Sequence, residues 1–384
     1  MRKSLFLLLL VALAGTVMAA KPPARSLGIP FDGAPGRFDA ITDVPGVEVG
    51  EATLIKDLPD GHKARTGVTA VLPRGQGSLY TRTFAAWFTL NGNGEMTGTT
   101  WVQGSGHLDG PVMLTNTLSV GTVRDATIAW CIRHRRNPPG KDEDNYCWVL
   151  PVVAETYDGY LNDVRGFHVH PSDVWQALDN AHGGEIAEGN VGGGTGMICY
   201  EFKCGTGTAS RIVHIGGHAY TLGVLVQANY GLRRSLRIAG VQVGRYLTKD
   251  RPFSHTDPHA RDQGSIIIVI ATDAPLLPDQ LKRVAKRASE GLGLLGDYSG
   301  NGSGEIFIAF STANANQGLK RPLQQAAYLG NHFIDPLFEA TVQAVDESVV
   351  NAMVAAHSMC GNEGHCVEAI PHAKLMSVLK RFGR

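Results

Sequence analysis

Neither sign of charge predominates in this 384-residue chain: 35 Lys and Arg stand against 35 Asp and Glu, and the formal net charge at pH 7 is +0. No basic run with interleaved aromatics occurs, so a nucleic-acid partner has no electrostatic footprint to bind. After the first residues nothing approaches the roughly 18 consecutive apolar residues of a spanning helix, which argues against a membrane partner for the mature chain. There is no HExxH, and none of the six cysteines forms a CxxC, so a zinc site lacks its usual ligand spacing. No repeat of fixed period and no low-complexity linker is visible, so solenoids and tethered domains drop out in favour of one domain. Small molecules or peptides remain as the partner class.

What the chain does have begins with MRKSLFLLLLVALAGTVMAA, residues 1–20: a basic start at Arg2 and Lys3, an apolar core, then small residues. That order reads as a signal peptide and predicts a periplasmic or secreted protein. In an oxidising compartment the six cysteines, paired along the sequence as Cys131/Cys147, Cys199/Cys204 and Cys360/Cys366, suggest disulfides closing short loops. Apolar periodicity predicts helices over Pro171–Ala181, capped by Ser172, over Pro278–Leu295 and over Ile334–His357. Apolar runs predict strands over Gly67–Leu72, Arg211–Ile215, Thr221–Gln227, Ser265–Ala271 and Glu305–Ser311. Buried strands with long amphipathic helices to cover them predict a layered α+β fold.

The junction Gly264-Ser265 carries the most chemistry. Upstream lies the polar stretch SHTDPHARDQG, containing His255 and His259; downstream Ser265 opens SIIIVIATDAPL, a run apolar enough to be buried on both faces. If the bond before Ser265 is cut, its new α-amine can act as base for its own hydroxyl. The ordinary reading of the dipeptide is a turn before a strand. In SGNGSGEIFIAFST, Ser303 and Glu305 stand two apart and share a face if extended. In VQANYG, the amide of Asn229 could donate to an oxyanion. In PVVAETYDGYLND, Glu155 offers a carboxylate for an amine and Tyr157 a phenol for the oxyanion. Each of these is, taken alone, also an ordinary loop or strand end.

Two glycine-rich segments, NGNGEMTG (91–98) and EGNVGGGTGM (188–197), invite a nucleotide reading. The second is followed by further glycines and a cysteine pair in place of the helix and acidic residue a dinucleotide fingerprint needs. Its backbone N–H groups could still line a substrate site. His168 with His170, and His214 with His218, are pairs without a completing carboxylate or cysteine, more often surface or hydrogen-bonded residues than ligands.

Taken in one order, ITDVPGVEVG, NGNGEMTG, VVAETYDGYLND, EGNVGGGTGM, VQANYG, DQGSIIIVIATDAPL and GSGEIFIAFST resemble the DmpA-type aminopeptidases, which include the L-aminopeptidase/D-Ala-esterase/amidases and β-peptidyl aminopeptidases. The resemblance implies a four-layer αββα sandwich like that of the N-terminal-nucleophile hydrolases but with different connectivity. It implies a precursor cut between Gly264 and Ser265 into a large subunit (21–264) and a small one (265–384), assembled as a homotetramer of processed pairs, with neither metal nor organic cofactor. By position, Ser265 matches the nucleophile, Ser303 and Glu305 the pair beside it, Asn229 and Tyr157 the oxyanion donors, and Glu155 the carboxylate that holds the substrate's free amine. The substrate would be a small peptide, or an amino-acid amide or ester. The export signal and the cysteines are less typical of that family. Two rivals stay open: a self-cleaving acyltransferase of the ornithine-acetyltransferase architecture, against which the serine and VVAETYDG argue, and a non-enzymatic periplasmic binding or scaffold protein.

Overall fold

The computed structural model describes residues 23–79, 81–134, 149–253, 264–315 and 322–384. In chain order the strands are β1 (Glu48–Asp57), β2 (Lys63–Gln76), β3 (Thr83–Gly92), β4 (His107–Leu108), β5 (Val112–Asn116), β6 (Val152–Thr156), β7 (Ile198–Cys199), β8 (Phe202–Lys203), β9 (Thr206–Ile215), β10 (His218–Asn229), β11 (Ser265–Thr272), β12 (Gly304–Ser311), β13 (Met359–Cys360) and β14 (Cys366–Val367). The helices are α1 (Thr99–Ser105), α2 (Val120–His134), α3 (Pro171–Asp179), α4 (Pro278–Leu294), α5 (Asp335–Ala355) and α6 (His372–Arg381).

Two sheets face each other. One has the order β1-β2-β5-β6, the other β4-β3-β12-β11-β10-β9. The side-chain period of two divides each central strand between two cores. Ile266, Ile268 and Ile270 of β11 pack with Leu281, Val284 and Ala288 of α4 and with Val345 and Val349 of α5. Ile267, Val269 and Ala271 face the other way, against Val71, Val112, Leu114 and Ala154 of the opposite sheet. A third core lies under α2 and α3, where Trp130, Val174 and Leu178 cover Ala52, Val68, Ala70 and Met113. The layers are therefore helix, sheet, sheet, helix, the expected αββα sandwich. A strand with no polar face is explained by this double cover, and Ile268→Ala would cost about 2–5 kcal/mol through the cavity it leaves.

Strands β11 and β12 are parallel neighbours, Ser265 beside Gly304, joined through α4; every other pairing in this sheet is antiparallel. Helix α4 starts with Pro278 in its first turn, where the missing N–H is no loss, and the Gln280 side chain accepts from Leu277 N–H. Helix α3 corrects the Ser172 cap: Pro171 opens the helix, His170 is the N-cap residue, and Asp173 accepts the His170 N–H. A serine one residue inside the helix is past the place where its hydroxyl could satisfy the first turn.

Cys199–Cys204 closes the β7–β8 hairpin and Cys360–Cys366 the β13–β14 hairpin. Cys131 is buried in α2, and Cys147 lies outside the described residues, as do residues 1–20 and 254–263 with His255 and His259. No helix among the described residues is long and apolar enough to cross a membrane.

Candidate active site

The Ser265 end of β11 is held from both sides by register. Asn229, the last residue of β10, pairs with Ser265, and Gly304, the first of β12, pairs with it on the other edge. Ser265 is 8 % exposed, and alternation with Ile267 and Val269 turns its side chain into the space between the sheets. A β-carbon added to Gly304 would stand 3.1 Å from Ser265 Oγ and 2.3 Å from the Asn93 carbonyl oxygen. One added to Gly264 would stand 2.2 Å from the Asn229 carbonyl oxygen. Both glycines are thus set by close backbone approach. The Gly304 N–H donates to the Gly264 carbonyl oxygen at 3.1 Å, the carbonyl of the bond that precedes Ser265.

Ser303 and Glu305 do share a face, and the Ser303 hydroxyl donates to Glu305 Oε1. Both are fully buried, deeper than the loop rim their sequence suggests. Glu305 alternates with Phe307 and Ala309, which face the helices, so this pair and the Ser265 hydroxyl leave the sheet on opposite sides. The pair approaches β11 from the side away from its hydroxyl.

The Asn229 amide is fixed at both ends: Oδ1 accepts from Ile198 N–H at 2.9 Å, and Nδ2 donates to the Tyr157 carbonyl oxygen at 2.9 Å. Tyr157 therefore meets Asn229 through its backbone. Its ring is 54 % exposed and leans over Gly159, where an added β-carbon would stand 2.3 Å from the phenol oxygen. Glu155, at the end of β6 on the opposite sheet, is buried; its Oε1 accepts from Glu95 N–H at 2.9 Å and its Oε2 from the Thr117 hydroxyl. Burial raises its pKa above the ordinary carboxylate value, and the bonds from Thr117 and Glu95 oppose that rise. Its neighbour Asp158 is also buried, which pushes its pKa up to about 7.

The segment 91–98 joins these halves. Asn93 N–H and Nδ2 donate to the carbonyls of Ser303 and Gly302, and Thr97 N–H donates to Val153 across on β6. A β-carbon on Gly94 would lie 3.3 Å from Glu155 Oε1 and 4.0 Å from Gly304 Cα, so this glycine is the backbone between the carboxylate and β12. Thr117 and Ile198, which touch Glu155 and Asn229, lie outside the motifs; Gly94 and Glu95 lie inside NGNGEMTG, where only the glycine density drew attention.

The other glycine segment has a different use. Gly192 and Gly193 donate their N–H groups to Thr53 and Thr69, and a β-carbon on Gly193 would lie 2.0 Å from Gln227 Oε1. These two amides are spent inside the fold and line no substrate site. Likewise His168 meets Asp163 at 3.0 Å, while His170 is the exposed N-cap residue of α3, bonded to Asp173 through its backbone. His214 and His218 are exposed on neighbouring strands.

A strand-opening serine between two facing sheets, with an amide on one edge and a buried carboxylate opposite, is the arrangement that a hydrolase of the amino-terminal-nucleophile type needs. The family model of peptidase family S58 matches residues 39–367, and the chain belongs to that family. It is 50 % identical to the beta-peptidyl aminopeptidase BapA of Sphingosinicella microcystinivorans, covering 97 % of this chain and 95 % of that protein. The BapA of Sphingosinicella xenopeptidilytica is 44 % identical, with 98 % and 96 % covered. Among solved structures it is similar to the L-aminopeptidase D-Ala-esterase/amidase of Ochrobactrum anthropi, described as a prototype of the serine aminopeptidases and a new variant of the Ntn hydrolase fold. That likeness has a TM-score of 0.89 and 48 % identity over 95 % of this chain and 99 % of that one. A Burkholderia sp. beta-aminopeptidase gives a TM-score of 0.84 and 45 % identity over 94 % and 99 %. The chain is an aminopeptidase with an Ntn-type fold.

Proposed function

We propose that this aminopeptidase activates itself by cleavage between Gly264 and Ser265 and then uses Ser265 as nucleophile and base together. The observation that carries the reading is the register that sets Ser265 between Asn229 and Gly304. In self-cleavage the Ser265 hydroxyl attacks the Gly264 carbonyl, whose oxygen already accepts the Gly304 N–H; a donor placed where negative charge develops lowers the barrier.

After the cut, the free α-amine of Ser265, with an ordinary pKa of roughly 7.7 to 8, takes the hydroxyl proton near neutral pH. The hydroxyl attacks the carbonyl of the substrate's first residue. Asn229 Nδ2 keeps one hydrogen on Tyr157 and gives its second to the oxyanion, and the Tyr157 phenol swings in from the surface as a further donor. Glu155, held by Thr117 and Glu95, receives the substrate ammonium in its carboxylate form. Ser303 and Glu305, on the far side of the sheet from the hydroxyl, steady the ammonium formed on Ser265, and that ammonium itself returns its proton to the leaving amine. Water then releases the first amino acid from the acyl-enzyme.

Substrates are short peptides, amides or esters with a free amino terminus, and the relatives named for β-peptides support β-amino acids among the residues released. The working assembly is a homotetramer of processed pairs, for which a solution mass of one processed pair alone would be contrary evidence.

The experiment is amino-terminal sequencing of the purified protein, alone and as Ser265→Ala. A second terminus reading Ser-Ile-Ile-Ile is expected in the native enzyme. The variant should give one uncut chain without activity on aminoacyl p-nitroanilides, and two normal fragments from it would overturn the reading.

A further inference from the structure

We infer that the Cys199–Cys204 hairpin is a positioning device for Asn229, an inference that rests on the oxyanion role just proposed for that residue. The hairpin β7–β8 turns through Tyr200 and Glu201, both with positive φ (49° and 60°). Two-residue turns of this hand ordinarily take Asn-Gly, because side chains crowd the backbone there. Here an unfavourable turn is held shut from several directions. The disulfide spans it, with both cysteines fully buried. Buried Arg233 donates from Nε to the Tyr200 carbonyl at 2.7 Å and from Nη2 to the Glu201 carbonyl, while its own N–H donates to Glu201 Oε2 at 3.0 Å. Lys203, also fully buried, donates from Nζ to the carbonyls of Met197 at 2.7 Å and Cys204 at 2.5 Å.

The hairpin's bond to the Asn229 side chain is the Ile198 N–H, which donates to Asn229 Oδ1; its backbone also bonds the next residue, Tyr200 N–H donating to the Tyr230 carbonyl at 2.7 Å. That bond helps decide which end of the amide faces Tyr157 and Ser265. With Oδ1 tied to the hairpin, Nδ2 must face Tyr157 and the oxyanion position. Without it only the Nδ2 bond to the Tyr157 carbonyl orients the amide, and rotation by half a turn, which presents an acceptor to a developing negative charge, is opposed by one hydrogen bond in place of two. An interaction made only in the transition state shows in kcat and leaves KM nearly unchanged.

The second disulfide supplies the control. Cys360–Cys366 also closes a short hairpin, which bonds to Arg65 and Leu161; it packs Met359 and Val367 on Ile198 and its next residue, Glu368, accepts from Lys203 N–H, but it makes no bond to Asn229. The test compares the processed enzyme carrying Cys199→Ser with Cys204→Ser against one carrying Cys360→Ser with Cys366→Ser, each alone and combined with Asn229→Ala. The first pair should lower kcat by about tenfold with KM within about twofold, as expected for a weakened oxyanion donor. The second pair should keep kcat within about twofold whatever it does to Tm. In the Asn229→Ala background the first pair should lower kcat no further, the signature of two changes acting through one group. If the serine pair does not fold, Lys203→Met, which keeps the disulfide but releases the Met197 and Cys204 carbonyls, should show the same drop in kcat.

An unchanged kcat in the first pair, or an undiminished loss on top of Asn229→Ala, overturns the inference alone. Unchanged kcat in Asn229→Ala itself overturns the oxyanion role and this inference with it.

Discussion

Two neighbouring strands of the larger sheet are each introduced by Gly-Ser, and the two serines have different environments. Ser265 opens β11, is 8 % exposed and turns into the space between the sheets, where Asn229 and Gly304 flank it. Ser303 precedes β12 by one residue, is fully buried, and donates its hydroxyl to Glu305 on the helix-facing side. The dipeptide is identical and the height in the sheet nearly so. What separates them is a shift of one residue relative to the strand, which with a side-chain period of two selects the opposite face. On the proposed reading, the hydroxyl between the sheets attacks a carbonyl, while the hydroxyl already committed to a carboxylate positions a proton.

That contrast can be broken by substitution. Ser265→Ala should remove processing and at least about 10⁴-fold of kcat/KM, the scale of losing a covalent nucleophile, whereas Ser303→Ala should cost about 10²- to 10³-fold, the scale of losing proton-transfer help. Equal losses on steady-state assay would dissolve the distinction. Gly304→Ala, whose β-carbon meets the Asn93 carbonyl at 2.3 Å, should leave most of the protein unprocessed, visible as one band on a denaturing gel.

Thr117→Val comes next in size. It removes a donor from buried Glu155 and so raises a pKa that burial has already raised. Only the ionised carboxylate holds an ammonium, so KM should increase by about fivefold near neutral pH, the scale of one lost charged hydrogen bond, and return toward the native value at higher pH. A KM ratio independent of pH would refute this.

The smallest effect concerns stability. Asp158 titrates at about 7 in the fold against 3.8 in the open chain. The folded state therefore holds more protons between those values, and this group's contribution to stability declines as pH rises from about 4 to about 7. Asp158→Asn should raise Tm by a few degrees at pH 8, with the gain vanishing near pH 4. Tm curves that stay parallel across that range would contradict it.

The sequence was most legible where one element explains itself. β11 and β12 are continuous apolar runs bounded by glycine, and α4 carries a proline start and buried residues at helical spacing. β1, β2, β3, β5, β6 and α2 were less so. Strand β2 runs from Lys63 to Gln76 through Pro73 and two glycines, and composition alone marks only its middle. Of the site, Ser303 and Glu305 follow from a spacing of two, and their hydrogen bond is the outcome. Thr117 and Glu95 touch Glu155 from 38 and 60 residues away, and no local pattern encodes such pairs. The backbone role of Tyr157 is hidden for a related reason: side-chain chemistry draws attention to the phenol, while the carbonyl beside Asn229 is common to every residue type.

The strand order β4-β3-β12-β11-β10-β9 has a mechanical meaning once a cut before Ser265 is considered. Both central strands would then belong to one piece, and the strands on either side, β3 and β10, to the other. Neither piece could leave without unzipping two full ladders in the middle of a sheet. The break would free a chain end without freeing a chain, and denaturant should melt both fragments at a single midpoint.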